Sequence, residues 1–202
     1  MQPFDSVCGT AAPLLAANVD TDVIMPKQFL KGIDRAGLDR GVFFDLRFLA
    51  DGQPDPAFVL NQEPWKWSRF LVVGPNFGCG SSREHAVWGL KQLGVRALIG
   101  SSFAGIFYDN CQRNGVLLIE LEESQVQEIG RLVASAGNAE ICVDLPAQQI
   151  RLWNGQSIGF EIDPLRKEAL VLGLDAIGST LQRTAQIRDF EAEHLRSNPW
   201  LA

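Results

Sequence analysis

The stretch that decides the fold reads Gly74-Pro75-Asn76-Phe77-Gly78-Cys79-Gly80-Ser81-Ser82-Arg83-Glu84-His85. The apolar run 70–73 leads into it, and the amphipathic run 86–93 leads out of it. This order predicts a buried strand, a glycine-rich loop and the start of a helix. Two further apolar runs, 95–99 and 116–119, follow, so residues 70–121 predict a βαβαβ unit with parallel strands and right-handed crossovers.

On the N-terminal side of this unit the pattern is less regular. Residues 1–17 are mixed, and 18–22 form a polar, turn-like cluster whose Asx side chains favour local backbone hydrogen bonds. Residues 32–68, including Gly32, are punctuated by glycine and proline. We interpret this segment as a long excursion held to the body by aromatic side chains, which is typical of lids or interface loops.

On the C-terminal side the pattern predicts further helices and strands, and the whole chain, 1–202, is interpreted as one domain. A strand pair around Asn154-Gly155 has the strong two-residue hairpin signal. Pro164 fits the first turn of a helix, and Gly137 fits a helix stop. The predicted elements are a helix at 122–136, strands at 141–145, 149–153 and 157–162, and helices at 164–172 and 180–196.

Composition indicates an ordinary globular protein of 202 residues, with 46% hydrophobic and 21% charged residues. The net charge of −6 argues against nucleic acid or an anionic membrane as the main partner, although local cations could still bind a small anion. The chain contains no run of about 18 apolar residues, and its N-terminus does not resemble a secretory signal. We therefore expect a cytoplasmic protein.

The four cysteines are widely spaced, at Cys8, Cys79, Cys111 and Cys142. No C-x-x-C pair is present, so the spacing argues against zinc or iron–sulfur ligation by this chain alone. We expect mostly free thiols.

The turn at Ser81–Glu84 has the S-x-x-E spacing of a capping box. With Ser81 as the N-cap, its hydroxyl and the first-turn N–H groups would form an anion site at the positive end of the helix dipole. Arg83 adds a planar fork suited to a carboxylate. The capping box is also common in helices without any function, but the crowding of polar residues at one strand-to-helix turn favours a ligand site.

Other motifs do not match this loop. It lacks the third glycine of a dinucleotide site and the Gly-Lys of a phosphate loop. Gly80 directly precedes Ser81, which breaks the nucleophile-elbow spacing. The chain has two histidines and no evident triad acid, so His85 is either an active-site residue or a core histidine.

Several stretches together resemble a known family. Residues 76–86 are similar to the signature of the aconitase superfamily swivel domain, and 18–30 to the N-terminal motif of 3-isopropylmalate dehydratase small subunits. The resemblance extends over nearly the whole chain, with further matching stretches at 43–48, 101–110 and 173–181.

The resemblance implies an α/β fold, namely an aconitase-type swivelling β/β/α domain with a βαβαβ core and an additional C-terminal hairpin and helices. It implies a hydro-lyase subunit that acts in leucine biosynthesis and isomerises 2- and 3-isopropylmalate by dehydration and rehydration. The [4Fe–4S] cluster, a Lewis acid for the substrate hydroxyl, is expected on a separate large subunit. Ser81 corresponds to the family's alkoxide base, and Arg83 to the arginine that holds a substrate carboxylate.

We therefore expect Ser81 and Arg83 to be catalytic, and this chain to bind no metal. The expected substrate-binding residues are Ser82, Lys27, Lys31, Asp22 and His85. Exposed lysines are often merely solvated, Asp20 and Asp22 also suit a turn, and Cys79 suits packing.

The exact substrate stays open, because Lys31 falls in the segment 29–32, where the family varies its recognition loop. The alternatives are a small subunit of a related hydro-lyase that acts on homoaconitate, citraconate or dimethylmalate, and a non-catalytic binding module of the same fold.

Overall fold

The computed structural model describes residues 1–31, 35–135 and 139–201. Its centre is a seven-stranded sheet with the order β4-β3-β2-β1-β5-β6-β7. The strands are β1 (Ser6–Leu14), β2 (Phe70–Val73), β3 (Ala97–Gly100), β4 (Leu117–Glu120), β5 (Glu140–Asp144), β6 (Gln149–Leu152) and β7 (Ser157–Gly159). The helices are α1 (Thr21–Ile24), α2 (Phe44–Arg47), α3 (Glu84–Gln92), α4 (Gly105–Asn114), α5 (Glu123–Ser135), α6 (Pro164–Leu172), α7 (Ala176–Leu181) and α8 (Thr184–Ser197).

The predicted βαβαβ unit is confirmed as β2-α3-β3-α4-β4, with parallel pairing of β2 to β3 and of β3 to β4. Every residue of β2 and β3 is buried, as expected for parallel strands covered on both faces. Alternate side chains serve the two faces: Val72 packs with Ile129 of α5, whereas Leu71 packs with Leu90 of α3. Two apolar layers therefore enclose the sheet.

The central strand, β1, was not predicted from the sequence. It pairs in parallel with β2 and antiparallel with β5, so it joins the two halves of the sheet. Its residues alternate irregularly between buried and exposed, and Pro13 lies within it. The pattern is irregular because the two ends of β1 pair with different neighbours, and no local signal reports those partners.

The antiparallel half of the sheet follows the prediction closely. The hairpin of β6 and β7 is confirmed around Asn154-Gly155, and Gly155 has a φ of 86°. Helix α6 begins at Pro164, and the Asp163 side chain accepts from the backbone N–H groups of Leu165 and Arg166. Both elements are specified by local turn and cap chemistry, which is why the sequence reveals them.

The C-terminal helix predicted at 180–196 corresponds to α8, but α8 begins only at Thr184, and a separate helix, α7, occupies part of the expected loop. Asp175 caps α7 by accepting from the backbone N–H of Gly178 at 2.7 Å, so the expected loop is already helical at Ala176. A break at Gln182 and Arg183 follows, and the Thr184 hydroxyl donates to the carbonyl of Leu181. No described helix is long and apolar enough to cross a membrane.

The described part of this excursion, 35–68, is held to the body by aromatic side chains, as predicted, since Phe43 lies in one apolar cluster with Leu90 of α3. Phe43 is buried, and its ring centroid lies 5.9 Å from that of Phe58. The ring centroids of Phe29 and Phe44 lie 5.0 Å apart. The role of this segment as a lid or interface loop stays a prediction. Gly32 and the helix stop expected at Gly137 lie outside the described residues.

The expectation of mostly free thiols is wrong for two of the four cysteines. Cys8 and Cys142 form a disulfide, whereas Cys79 and Cys111 are free. The reason is the β1–β5 register, which places Cys8 directly opposite Cys142 despite a sequence separation of 134. Spacing along the chain cannot reveal such a cross-strand pair.

Candidate functional site

The candidate site lies where β1 and β2 end, at the carboxyl edge of the parallel strands. The segments 18–21 and 75–79 run side by side beyond the strands. The backbone N–H of Asn18 donates to Pro75 O, Gly78 N–H to Val19 O, and Thr21 N–H to Cys79 O, at 2.8–2.9 Å. The N-terminal motif is thereby fixed to the glycine-rich loop.

A second seam joins this loop to the segment that follows β3. The backbone N–H of Phe77 donates to Ser102 O at 3.3 Å, and that of Ala104 donates to Phe77 O at 3.0 Å. The Ser102 hydroxyl oxygen accepts from the Asn76 N–H at 2.9 Å. Three strand ends therefore meet at one edge, which is where open α/β sheets bind ligands.

Glycine is required within this loop for steric reasons. Gly78 has a φ of 77°, and a Cβ there would lie 2.2 Å from Cγ of Phe107. Gly80, with a φ of 90°, directly precedes the two serines. The loop thus takes a conformation that residues with a side chain rarely adopt.

The prediction that Ser81 is the N-cap of the following helix is wrong. Helix α3 begins at Glu84, Arg83 occupies the N-cap position, and no side chain caps it. The Thr21 hydroxyl instead donates to the Ser81 carbonyl at 2.9 Å. The Glu84 carboxylate, which would have completed the capping box, accepts from Asn114 Nδ2 at 2.8 Å. Ser81 therefore lies in a bend before the helix, where Thr21 of α1 holds its carbonyl.

A cluster of charges lies beside the serines. Nη1 of Arg83 forms an ion pair with Oδ1 of Asp22, and Nζ of Lys27 lies 4.0 Å from Oδ2 of Asp22. The Arg83 side chain is only 15% exposed, whereas that of Asp22 is 46% exposed. Asp22 is in the first turn of α1, whose N-cap Asp20 accepts from Val23 N–H at 2.8 Å. The fold thus brings Arg83 next to Asp22 and Lys27, two predicted site residues that are far from it in sequence.

The remaining predicted residues have different surroundings. Ser81 and Ser82 are both exposed on the loop. His85 is half-buried, and its ring centroid lies 4.7 Å from that of Trp88. Lys31 is exposed, and within the described residues it forms no ion pair with Asp22. The structure therefore groups Asp22, Lys27 and Arg83, and leaves Lys31 apart.

The sequence analysis did not predict the contacts that hold the site together, although Asn18 and Thr21 lie in its turn-like cluster 18–22. Thr21 is buried and bonds the loop through both its backbone and its hydroxyl. Asn18 and Asn76 have φ values of 56° and 57°, and Nδ2 of Asn76 donates to Oδ1 of Asn18 at 2.8 Å. The signal that could have revealed them is the tolerance of asparagine for positive φ, which marks both positions as turns.

The described part of the chain holds no group of three or more His, Cys, Asp or Glu side chains arranged for a metal ion. Cys8 and Cys142 are bonded to each other, and burial raises the pKa of the Cys111 thiol, which favours the protonated form. Cys79 Sγ lies 3.4 Å from the carbonyl oxygen of Asn18. These thiols do not fit an iron–sulfur cluster, which needs several converging thiolates.

Comparison with known proteins agrees with this geometry. Family models match three parts of the chain: the aconitase C-terminal domain at 1–124, LeuD_N at 131–164, and the C-terminal domain of the 3-isopropylmalate dehydratase small subunit at 177–202. A relative from Mannheimia succiniciproducens, named 3-isopropylmalate dehydratase small subunit 1, is 60% identical over 100% of this chain and 99% of its own length. The chain belongs to the 3-isopropylmalate dehydratase small-subunit family.

Further members of this family support the assignment. Small subunit 2 from Salmonella choleraesuis is 57% identical and covers 100% of this chain and 96% of its own length. The crystal structure of the Methanocaldococcus jannaschii 3-isopropylmalate dehydratase LeuD is 27% identical, with a TM-score of 0.67, and covers 91% of this chain and 99% of that one. The predicted family and fold class are therefore confirmed.

Proposed function

We propose that this chain works with a large subunit as a 3-isopropylmalate dehydratase, interconverting 2- and 3-isopropylmalate through isopropylmaleate in the cytoplasm. The single observation that carries the proposal is the mostly buried Arg83 guanidinium, held by Asp22 immediately after the two exposed serines. A hydroxyl and an oriented arginine at one strand-to-helix turn suit proton transfer on a carboxylate substrate. Neither nucleic acid nor a membrane is part of the proposal.

In this proposal Ser81 Oγ, as an alkoxide, takes the proton from the carbon next to a substrate carboxylate. It returns the proton when water adds back in the opposite sense, so the two isomers differ in the position of the hydroxyl. Thr21 supports this role, because its hydrogen bond to the Ser81 carbonyl fixes the backbone that carries the base. A serine alkoxide needs strong stabilisation, which Arg83 and the exclusion of water between the closed large and small subunits would supply.

Arg83 is proposed to bind a substrate carboxylate through its remaining N–H groups, and Ser82, Lys27 and Lys31 to add donors around the substrate. For Asp22 we favour orientation of Arg83 over direct substrate contact, because two carboxylates repel each other at short range. His85 is proposed to line the site, with its ring set against Trp88.

The iron–sulfur cluster is proposed to lie on the large subunit. The thiols of the described residues do not fit it, whereas the exposed serines and the Arg83 fork fit a surface that completes a site on another chain. When bound, the cluster supplies a Lewis acid for the substrate hydroxyl. The proton transfer and carboxylate binding then belong to the small subunit.

The test is turnover of 2-isopropylmalate by the purified complex of this chain with its cluster-loaded large subunit. Ser81→Ala is expected to lower kcat by about 10²–10⁴-fold, since a positioned proton-transfer group contributes that much. The control is Ser157→Ala, which removes another exposed serine hydroxyl, on β7, and should leave kcat unchanged. Assembly of both variants is checked by gel filtration.

Near-normal kcat in the Ser81→Ala complex would refute the base assignment. Turnover by the isolated chain would refute the two-subunit arrangement. Turnover of homoaconitate, citraconate or dimethylmalate without turnover of isopropylmalate would instead assign the chain to a related hydro-lyase.

A further inference from the structure

The C-terminal helices lack the packed face that a helix normally needs. No residue of α7 or α8 is buried, and within α8 only Thr184 and Leu195 are even partly buried. A helix of this length is marginal in water unless one face packs against something else. The 14 residues of α8 therefore gain little support from the rest of this chain.

The same region exposes large apolar side chains. We call six of them the C-terminal apolar surface; each exposes between 45% and 76% of its area, and they are Leu165, Ile177, Leu181, Ile187, Phe190 and Trp200. Ile187 and Phe190 are three residues apart on α8, so they share one side of that helix. Leu165 and Ile187 also line one cavity, so part of this surface is contiguous, and contiguous apolar exposure marks an interaction site rather than ordinary surface.

The solvent-accessible area of the chain is also larger than that expected for a closed monomer of its mass. The chain exposes 10894 Å², whereas about 9,400 Å² is expected for a folded monomer of 22.2 kDa. The excess of about 1,500 Å² exceeds the roughly 800 Å² that each partner buries in a standard protein interface. The isolated chain therefore exposes more surface than a closed monomer of its mass, as expected for one protomer of an assembly.

The family matches favour a particular occupant for this face. The residues of the candidate site fall within the match to the aconitase C-terminal domain, 1–124, whereas α8 and Trp200 fall within the match that is specific to the small subunit, 177–202. The exposed C-terminal helix thus belongs to the part of the chain that is specific to small subunits, and not to the part that forms the candidate site. We infer that the C-terminal apolar surface is the docking surface for the large subunit, an inference that rests on the proposed function for its partner.

The experiment measures the Kd between the full-length chain and its cluster-loaded large subunit by isothermal titration calorimetry. The double variant Ile177→Asp, Phe190→Asp is expected to raise Kd at least about tenfold, as for loss of exposed apolar anchors at an interface. The control is Arg188→Ser, which lies roughly 160° around α8 from Phe190 and should change Kd less than about twofold. Neither change touches a buried residue, and circular dichroism verifies that the fold is retained.

The outcomes separate this inference from the proposed function. If the wild-type chain binds the large subunit and the double variant binds it equally well, the inference is overturned and the proposed function stands. If the wild-type chain does not bind the large subunit at all, the proposed function is refuted, and the inference that rests on it is refuted with it. If the wild-type chain alone is a dimer that the double variant converts to monomers, the surface joins two copies of this chain, and the inference is again overturned.

Discussion

Arg83 shows how one residue depends on a partner that is distant in sequence. Its guanidinium offers five N–H donors in a rigid fork, and Asp22 engages Nη1 while most of the side chain is shielded from water. An ion pair in which one side chain is mostly buried keeps its geometry better than an ion pair between two exposed side chains. The remaining donors are therefore presented in a fixed direction, which suits recognition of a planar carboxylate.

The substitution Arg83→Lys tests this recognition. We expect KM for 2-isopropylmalate to rise about tenfold or more with a smaller change in kcat, because a lysine point charge cannot reproduce two parallel hydrogen bonds. Steady-state kinetics of the assembled complex measures both constants. Arg131→Lys, on the exposed side of α5, serves as the control and should behave as wild type. Unchanged KM and kcat in the Arg83 variant would contradict carboxylate binding by this residue.

At the scale of elements, the loop between β2 and α3 is specified by contacts from other parts of the chain. Its Gly78 accommodates Phe107 of α4, and its backbone is bonded both to the N-terminal motif and to the segment after β3. Because α1, α3 and α4 all converge on it, the loop is part of the packed body rather than a free connection.

The variant Gly78→Ala tests how tightly the loop is packed. We expect a loss of about 2–5 kcal/mol in the free energy of unfolding, from the positive φ and from overlap with Phe107. Gly94→Ala is the matched control: Gly94 has a φ of 104° but no atom within 4 Å of its Cβ position, so strain alone should cost about 1–2 kcal/mol. Urea unfolding measures the free energy of unfolding of both variants. Equal losses would show that Phe107 moves aside for the added methyl group without a cost in stability.

The same elements show which features a sequence reveals. The βαβαβ unit, the hairpin and α6 rest on local signals, namely apolar runs, Asn-Gly and an N-terminal proline, and all three are confirmed. The position of β1 and the start of α3 depend on pairing with residues far away, as in the bond from Thr21 to Ser81. The residue types of the candidate site were predictable, but the pairing of Asp22 with Arg83 was not.

At the scale of the whole molecule, β1 links the parallel and antiparallel halves of the sheet. One apolar cluster contains residues of both halves, including Val72 of β2 and Ile150 of β6. A second cluster, which includes Leu71 and Leu98, belongs to the parallel half, so the first cluster is the one that joins the two halves. We therefore propose that residues 1–202 form a single domain, although α8 contributes no buried residue to it.

A single domain predicts a single unfolding transition for the isolated chain. Urea curves followed by tryptophan fluorescence and by far-ultraviolet circular dichroism should coincide, because both report loss of one shared core. Trp65 is a suitable reporter, since its Nε1 donates to Val133 O across the body at 3.1 Å. Two separated transitions would instead divide the chain into independent units.

The central place of β1 has a consequence for synthesis on the ribosome. This strand is translated before both of its neighbours, since its parallel neighbour begins at Phe70 and its antiparallel neighbour at Glu140. The nascent strand therefore leaves the exit tunnel with both hydrogen-bonding edges unpaired. Its second edge stays unpaired until most of the chain has been synthesised. Such late, long-range pairing slows folding and exposes strand edges to other chains. Demand for chaperone protection should thus be greatest before β5 emerges, and it should fall as that strand closes the second edge.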